Sequence, residues 1–257
     1  LRNLHLINIL EAWEMFLYSH ADLIVTVTQS FKDKLVDRGV NPGKIIVISN
    51  GALVNIYHPG EKDRELIKSL DISGKFVVSY IGAHGISQGV DTIVEAAEML
   101  RFKSDICFLL VGDGAMKNDI SDLILDKDLS NIIMLPSQSK DIIPDLYRVS
   151  NVCVVPLRDI PLFDSFVPSK IFEIMACGIP IIASLTGEAK TILQTSGSAK
   201  IVHPESVNEL VDAIEWMIDN QTLCTTMGES GRKFVCEHYD RAILAKTYIS
   251  ELRRLLD

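Results

Sequence analysis

The sequence predicts an α/β fold: a doubly wound parallel sheet covered by helices on both faces. Three observations carry that prediction. Short Val/Ile-rich runs at 76–81, 106–111, 132–135, 152–155, 179–183 and 199–202 are almost entirely apolar, broken only by Ser79 and Lys200, as strands of a parallel sheet covered on both faces require. Each run leads into a turn or loop and then a helical pattern, the alternation expected of strand–helix–strand units. With 257 residues, 47% of them hydrophobic and 23% charged, the chain can bury one large core or two modest ones and is unlike a disordered segment.

The elements follow in order. A first helix carries Leu4, Leu6, Ile7, Ile9, Leu10, Trp13, Phe16 and Leu17, which leave it little polar surface. Such a helix is normally buried. The favoured partner lies outside this chain; burial within the domain is the alternative, and a membrane-surface role is disfavoured because the helix is not rich in Lys and Arg. Residues 23–27 read as a strand. Ser30 is placed to cap a helix running to Arg38, and Gly39 stops it. Asn41-Pro42-Gly43 marks a turn, residues 45–48 a strand, and Asn50-Gly51 another turn. Residues 57–63 read as a linker.

The regular series then begins with strand 76–81, a glycine-rich loop and helix 91–100. Strand 106–111 leads through Gly112-Asp113-Gly114 into a helix ending near Lys127. Strand 132–135 precedes helix 142–148. Strand 152–155 precedes a long loop and helix 169–176, where Pro168-Ser169 fits a helix start with Ser169 as cap. Strand 179–183 precedes helix 187–194, and strand 199–202 precedes helix 206–219. The remainder is helical with a break at Tyr239-Asp240.

Composition excludes several classes of function. The net charge of -9 argues against a sequence-independent nucleic-acid binder, which needs a basic face. It leaves phosphate ligands open, since backbone amides at helix starts bind anions without net positive charge. Cys107, Cys153, Cys177, Cys224 and Cys236 show no CxxC spacing and read as reduced thiols of a cytosolic protein rather than disulfide or metal partners. The six histidines form no HxxxH or HExxH motif, so no metal site is expected. No apolar run reaches the roughly 18 residues that span a membrane. The chain begins at Leu1 without a signal-peptide pattern.

Ligands of doubly wound sheets bind outside the carboxyl ends of the strands. That directs attention to three segments. Gly82-Ala83-His84-Gly85-Ile86-Ser87-Gln88-Gly89 follows a strand and opens a helix, where bare backbone amides can approach a diphosphate. It lacks the spacing of a P-loop, and a plain tight turn explains its glycines equally well. Val111-Gly112-Asp113-Gly114 is a second such turn, in which Asp113 either meets a ligand or caps a helix. Phe166-Val167-Pro168-Ser169-Lys170-Ile171-Phe172-Glu173 puts a cation and a carboxylate three residues apart on one helix face. Cation to phosphate and carboxylate to a hydroxyl pair would suit a nucleotide sugar; a solvated Lys–Glu pair, worth about 0.3 kcal/mol, is the alternative.

At this last segment a family becomes recognisable. The run Ala176-Cys177-Gly178-Ile179-Pro180-Ile181-Ile182-Ala183-Ser184 resembles the "ACGxPVVAS" signature of the family 4 retaining glycosyltransferases. Further matches follow in order: 81–91 is similar to "VGRLxxxKGVD", 111–116 to "VGDGPM", 135–148 to "LGxxxxxxxxxLYR", and 22–30 and 45–51 to "ADxIIxVSE" and "IxVIPNG". The resemblance covers nearly the whole chain and implies the GT-B fold, two Rossmann-like domains facing across a cleft. It implies that residues 1–58 end an N-terminal acceptor domain, 59–71 form a linker, 72–240 bind the nucleotide-sugar donor, and 241–257 cross back toward the N-terminal domain. About the first half of an intact enzyme would then precede this chain.

Carried over residue by residue, Glu173 matches the second Glu of the family's Glu-x7-Glu motif, which binds the nucleotide ribose, whereas the first Glu falls at Ser165. The family's basic residues in the glycine loop fall at Ala83 and Gln88. Lys170 and backbone amides near Gly85, Phe166 and Val167 are the expected replacements. The donor site implied is Gly82, His84, Gly85, Gln88, Gly112, Leu135, Pro136, Ser165, Phe166, Val167, Ser169, Lys170 and Glu173, with His84 and Lys170 the candidates for a catalytic part and uracil against the Leu135-Pro136-Ser137 region. Glu188 either approaches the sugar or is a helix-start carboxylate.

The His-Gly loop with Pro-Ser-Lys-x-Phe-Glu resembles a subgroup of bacterial O-antigen and capsule enzymes that use UDP-linked, often N-acetylated, sugars; GDP stays open. The implied reaction is metal- and cofactor-independent transfer of a hexosyl or N-acetylhexosaminyl group to a saccharide or lipid-linked acceptor, with retention. The implied setting is cytoplasmic, with the intact enzyme at the inner face of the membrane. Exposed apolar helices, including Ile243, Leu244, Tyr248 and Leu252, would meet the N-terminal domain or a second copy. Two rivals remain: a catalytically inactive sugar-nucleotide-binding or scaffolding protein, favoured by the three replaced family residues, and a non-hydrolysing UDP-sugar epimerase, for which the loops offer few paired acid–base candidates.

Overall fold

A computed structural model describes residues 4–256 of the chain. Two compact units are present: residues up to Asn50 together with those from Ala242, and Gly51–Arg241.

The smaller unit holds α1 (Leu4–His20), β1 (Ile24–Thr26), α2 (Gln29–Asp37), β2 (Ile45–Val47) and α11 (Arg241–Arg253), the last beginning at the final residue of the larger unit. Strands β1 and β2 pair in parallel, and Ile24, Leu35, Val40 and Ile45 form a small core with Met15 and Tyr18 of α1 against it. The rest of α1 is open: Leu4, Ile9, Leu10, Trp13, Phe16 and Leu17 are all exposed, Trp13 at 65%. Thr28, not Ser30, caps α2; its hydroxyl accepts from Phe31 N at 3.2 Å. The helix starts one turn-residue earlier than expected because Thr28 holds the extended backbone a cap requires.

The larger unit contains α3 (Arg64–Ser69), β3 (Phe76–Ile81), α4 (Asp91–Met99), β4 (Ile106–Val111), α5 (Lys117–Asp126), β5 (Ile132–Leu135), α6 (Ile143–Val149), β6 (Val152–Pro156), α7 (Lys170–Ala176), β7 (Ile181–Ser184), α8 (Gly187–Ser196), β8 (Ala199–Val202), α9 (Val207–Asp219) and α10 (Gln221–His238). Six strands form one parallel sheet in the order β5-β4-β3-β6-β7-β8. The order turns between β3 and β6, which is the topological switch point of a doubly wound sheet. Period-two alternation divides each strand between two cores. Val77, Ile81, Leu109 and Val111 face Leu146, Phe172, Leu193 and Val235 on one side. Phe76, Val78, Tyr80, Phe108 and Leu110 face Ile93, Ile120 and Ile214 on the other.

Several sequence expectations are corrected. Residues 59–71 are not simply a linker: Asp63 caps α3, its carboxylate accepting from Glu65 N and Leu66 N at 2.8 and 3.1 Å, and Leu66 and Ile67 then reach the core. Residues 51–58 belong with the larger unit, since Ala52 and Tyr57 are buried in its core and Arg232 donates to the carbonyls of Val54, Tyr57 and Ala176 at 2.8–3.1 Å. Strand β7 begins at Ile181, because Gly178 adopts φ +73° and Pro180 cannot donate to a ladder. The loop after β6 holds a 3-10 turn, Pro161–Ser165.

Candidate donor site at the carboxyl ends of the strands

A cleft of about 270 Å³ opens at the carboxyl ends of β3 and β4, lined by Ile81, Gly82, Ala83, Val111, Gly112, Asp113, Ser137, Gln138 and Ile143. Its walls are two turns joined backbone to backbone. Gly82 N donates to Val111 O at 2.9 Å, His84 N to Asp113 O at 2.8 Å, and Met116 N to His84 O at 2.8 Å, while Gly112 N reaches Leu135 O at 3.1 Å. Such contact leaves no room for side chains. Gly112 has φ +151°, and a Cβ there would collide with the carbonyl of Gly82; at Gly82, φ +149°, it would collide with Lys170 Nζ. The glycines therefore answer to a close approach of backbone to backbone and leave peptide groups as the cleft wall.

Lys170 enters this wall from the first turn of α7. Its ammonium stands 4.1 Å from the centroid of the Tyr80 ring. Burial lowers it from the ordinary lysine value to about 8, against the opposing pull of Cys153 and Glu173. Glu173, one turn on, is half-buried, and burial raises it above the usual carboxylate range, opposed by Arg241, a hydrogen bond from the Tyr57 hydroxyl, Lys170 and Lys140. A carboxylate placed among these groups, and still partly open, can accept from a pair of hydroxyls.

His84 is fully buried, and neither ring nitrogen has a hydrogen-bond partner among the described residues. A buried polar group left so costs on the order of 1–3 kcal/mol. Burial first, then Lys117 and Lys170, hold the imidazole below its ordinary range, with Asp113 opposing. Asp113 itself does not cap α5; its carboxylate accepts from Gly114 N at 2.8 Å and pairs with Lys117 at 3.2 Å, fixing the turn.

The other expected site residues divide. Gly85 precedes a 3-10 turn, Ile86–Gln88, and Gln88 turns its Oε1 inward, buried and without a partner among the described residues. Of the Leu135-Pro136-Ser137 stretch, Leu135 serves through its carbonyl, Pro136 is exposed, and Ser137 lines the cleft together with Gln138. Ser165 is buried, its hydroxyl donating to Leu162 O at 3.2 Å. Phe166 spends its amide on Phe163 O at 2.9 Å, which removes it as a phosphate donor; Val167 is buried. Ser169 stands at the helix start with α-helical backbone angles and makes no side-chain cap bond, because a cap needs extended geometry. Glu188 lies on the first turn of α8, where Gly187 lets the chain pass against Asp164 O.

Two supporting residues escape sequence reading. Tyr57 reaches Glu173 from a segment more than a hundred positions away, and nothing local marks it. Arg158 pairs with Asp91 at 2.8 Å and, more closely still, with Glu205, and donates to Ile86 O at 3.1 Å, clasping the loop after β6 to the glycine loop. A larger cavity of about 440 Å³ lies at the opposite, amino end of the strands, lined by Lys62, Gly74, Lys75, Val77 and Asn151 among others. Volume alone would favour it. The carboxyl end is the better candidate, because there the glycine backbone, Lys170, Glu173 and the unpartnered His84 converge. Among the described residues no group of three or more His, Cys, Asp or Glu could hold a metal ion, and no helix is long and apolar enough to cross a membrane.

Comparison with known proteins bears on the fold and the family. The chain is 27% identical over 242 residues to the glycosyl transferase WcaI of Escherichia coli, whose name places it in colanic acid biosynthesis; the match covers 91% of this chain and 58% of WcaI. Its fold matches HepE of Anabaena, solved in complex with UDP and glucose, at a TM-score of 0.79 and 19% identity, covering 91% of this chain and 63% of HepE. It also matches the C-terminal domain of a group 1 glycosyl transferase from Francisella tularensis at a TM-score of 0.61 and 19% identity, covering 74% of this chain and 98% of that domain. The chain thus spans well under two thirds of the length of WcaI. Residues 62–234 match the profile of the glycosyl transferases group 1, and the chain belongs to that family and shares the GT-B type of fold.

Proposed function

We propose that this chain supplies the donor-binding half of a retaining glycosyltransferase that moves a hexosyl or N-acetylhexosaminyl group from a UDP-linked donor to a hydroxyl of a saccharide or lipid-linked saccharide. The observation that carries the reading is the cleft itself: peptide backbone bared at Gly82 and Gly112, with the Lys170 ammonium behind Gly82 and Glu173 one turn on. Lys170 receives the diphosphate at the Gly82–Gly112 wall, whose own N–H groups are already given to Val111 O and Leu135 O, and Glu173 receives the ribose hydroxyls. HepE, a protein of the same fold, is described with UDP and glucose, which supports a uridine nucleotide.

In this reading the leaving diphosphate is stabilised by fixed dipoles and the Lys170 charge, an electrostatic contribution made in a half-dry cleft. Neither a metal nor a cofactor takes part. A donor phosphate oxygen assists deprotonation of the acceptor on the retained face, so no side-chain nucleophile is assigned. The reaction belongs on the cytoplasmic side, with the intact enzyme at the membrane face where lipid-linked acceptors lie. The relation to WcaI supports a polysaccharide acceptor.

A second reading rests on Ser165, Ala83 and Gln88, which stand where the family carries a Glu and two cations: a sugar-nucleotide-binding protein without turnover. A thermal-shift titration without metal, using UDP, GDP, ADP and UDP-sugars, tests donor binding. At a hundredfold excess over Kd a native-state ligand adds about 2.7 kcal/mol. For a domain of this size that is roughly 5–10 °C. A shift selective for uridine nucleotides is expected. Equal shifts, or none, count against the uridine assignment, and product release with the full-length protein separates the transferase from the second reading.

A further inference from the structure

This inference rests on the donor-binding reading and adds a proton to it. The loop 82–89 carries no lysine or arginine, and His84 is its one titratable group. The imidazole is fully buried with both nitrogens unpartnered among the described residues. The main chain of His84 is pinned to the β4 turn, its N–H donating to Asp113 O and its carbonyl accepting from Met116 N, so the ring is carried on a fixed backbone position. The ring lies beside the cleft wall: a Cβ on Gly112, which lines the cleft, would stand 3.3 Å from His84 Cδ2.

The charged and titratable groups around it come from each neighbouring element. Lys117 of α5 and Lys170 of α7 oppose a proton on the ring, Asp113 of the β4 turn favours one, and the Tyr80 ring of β3 packs at 5.7 Å between centroids. Asp113 is itself engaged by Lys117. Burial and two ammoniums oppose a proton on the ring in the free chain. A diphosphate beside Gly82 and Gly112 would reverse that balance by bringing negative charge to the same point.

We propose that His84 is a proton-accepting ligand of the donor diphosphate: it gains a proton from solvent as the donor binds and donates the new N–H to a phosphate oxygen. No covalent bond is made or broken, and the proton gained by the protein is lost by the buffer. The titratable ring supplies on demand the cation that its loop otherwise lacks.

The test is calorimetry of the chain with UDP-glucose at pH 6 to 7.5 in buffers of different ionisation enthalpy. The diphosphate of UDP-glucose is a diester of fixed charge in this range, so any proton taken up goes to the protein. Uptake of a fraction of a proton is expected, with binding tightening toward tenfold per pH unit as pH falls. His84→Gln should abolish both the uptake and the pH dependence. Should that variant not fold, the pH dependence of the unmodified chain carries the test. UDP-glucose binding without uptake overturns the inference and leaves the donor site standing. Uptake unchanged in His84→Gln overturns it by assigning the proton elsewhere, Lys170 first. No binding of UDP-glucose, UDP or GDP overturns the inference and the donor reading together.

Discussion

The two ends of the six-stranded sheet each hold a cavity, and they differ in what their polar groups still lack. At the amino end, the larger space is lined by groups already engaged: Lys62 Nζ donates to Val149 O at 3.1 Å, and Asn151 receives Val77 N at 2.9 Å while giving its own N–H to Val77 O. At the carboxyl end, behind the glycine wall of the smaller space, stand an imidazole without a partner among the described residues, a lysine lowered to about 8 by burial and, one turn on, a carboxylate raised by burial. Unmet polar demand, more than volume, separates a binding site from a gap between elements.

Substitutions paired across the two ends can break that contrast. The largest effect is expected at Gly112→Ala, where φ +151° and the Gly82 carbonyl both oppose a Cβ. A loss of about 2–4 kcal/mol in stability and loss of UDP binding should follow, read by denaturant unfolding and calorimetry. Its counterpart at the amino end, Gly74→Ala, has φ +73° and nothing within 4 Å, so it should cost about 1 kcal/mol and leave binding alone. Equal losses from the two would sink the comparison.

Glu173→Ala should weaken UDP binding by roughly 2 kcal/mol, about thirtyfold, through lost charge-assisted bonds to ribose. Lys62→Ala, at the other end, should change it by less than about twofold; unchanged binding in Glu173→Ala would remove the ribose assignment.

Lys170→Met should weaken UDP binding and yet raise the melting temperature near pH 7. Burial lowers the folded-state ammonium from 10.5 to about 8, so between those values the unfolded chain binds the extra proton. Stability therefore rises with pH across that window, and below it the cost of burying the charge is felt in full. A variant that melts lower, or whose stability still climbs between pH 8 and 10, contradicts the desolvated lysine. The smallest effect belongs to Tyr57→Phe, which removes one hydrogen bond to Glu173 and should cost about 1 kcal/mol of UDP affinity, near fivefold.

Strands β3, β4, β5 and β8 could be read from the sequence to the residue, because β-branched, mostly apolar runs end in turns there, fully buried in β3 and β4 and partly buried at the edges β5 and β8. The glycine loops and the Lys170–Glu173 pair were equally visible, since a strand–turn–helix unit writes its requirements locally. What was hidden is tertiary. Asp63 capping α3 was lost inside a polar stretch, and Ser169 had the chemistry of a cap without the backbone angles for one. That Phe166 gives its amide to Phe163 O depends on a 3-10 turn no pattern announces. Tyr57 and Arg158 act over long separations, and only the fold brings them to Glu173 and to Asp91.

The first and last residues of the larger unit lie side by side. Ala52 N donates to Tyr239 O at 3.0 Å, Arg241 N to Ala52 O at 3.0 Å, and Arg241 Nε to Gly51 O at 2.8 Å, closing a parallel bridge between Ala52 and Asp240. A domain whose ends meet behaves as a cassette. Residues 51–241 could be excised as a piece, joined end to end and reopened at a surface loop, giving a circular permutant with the same sheet and the same cleft. Evolution can use that property as readily as the engineer, exchanging one such cassette for another without rethreading the rest of the chain.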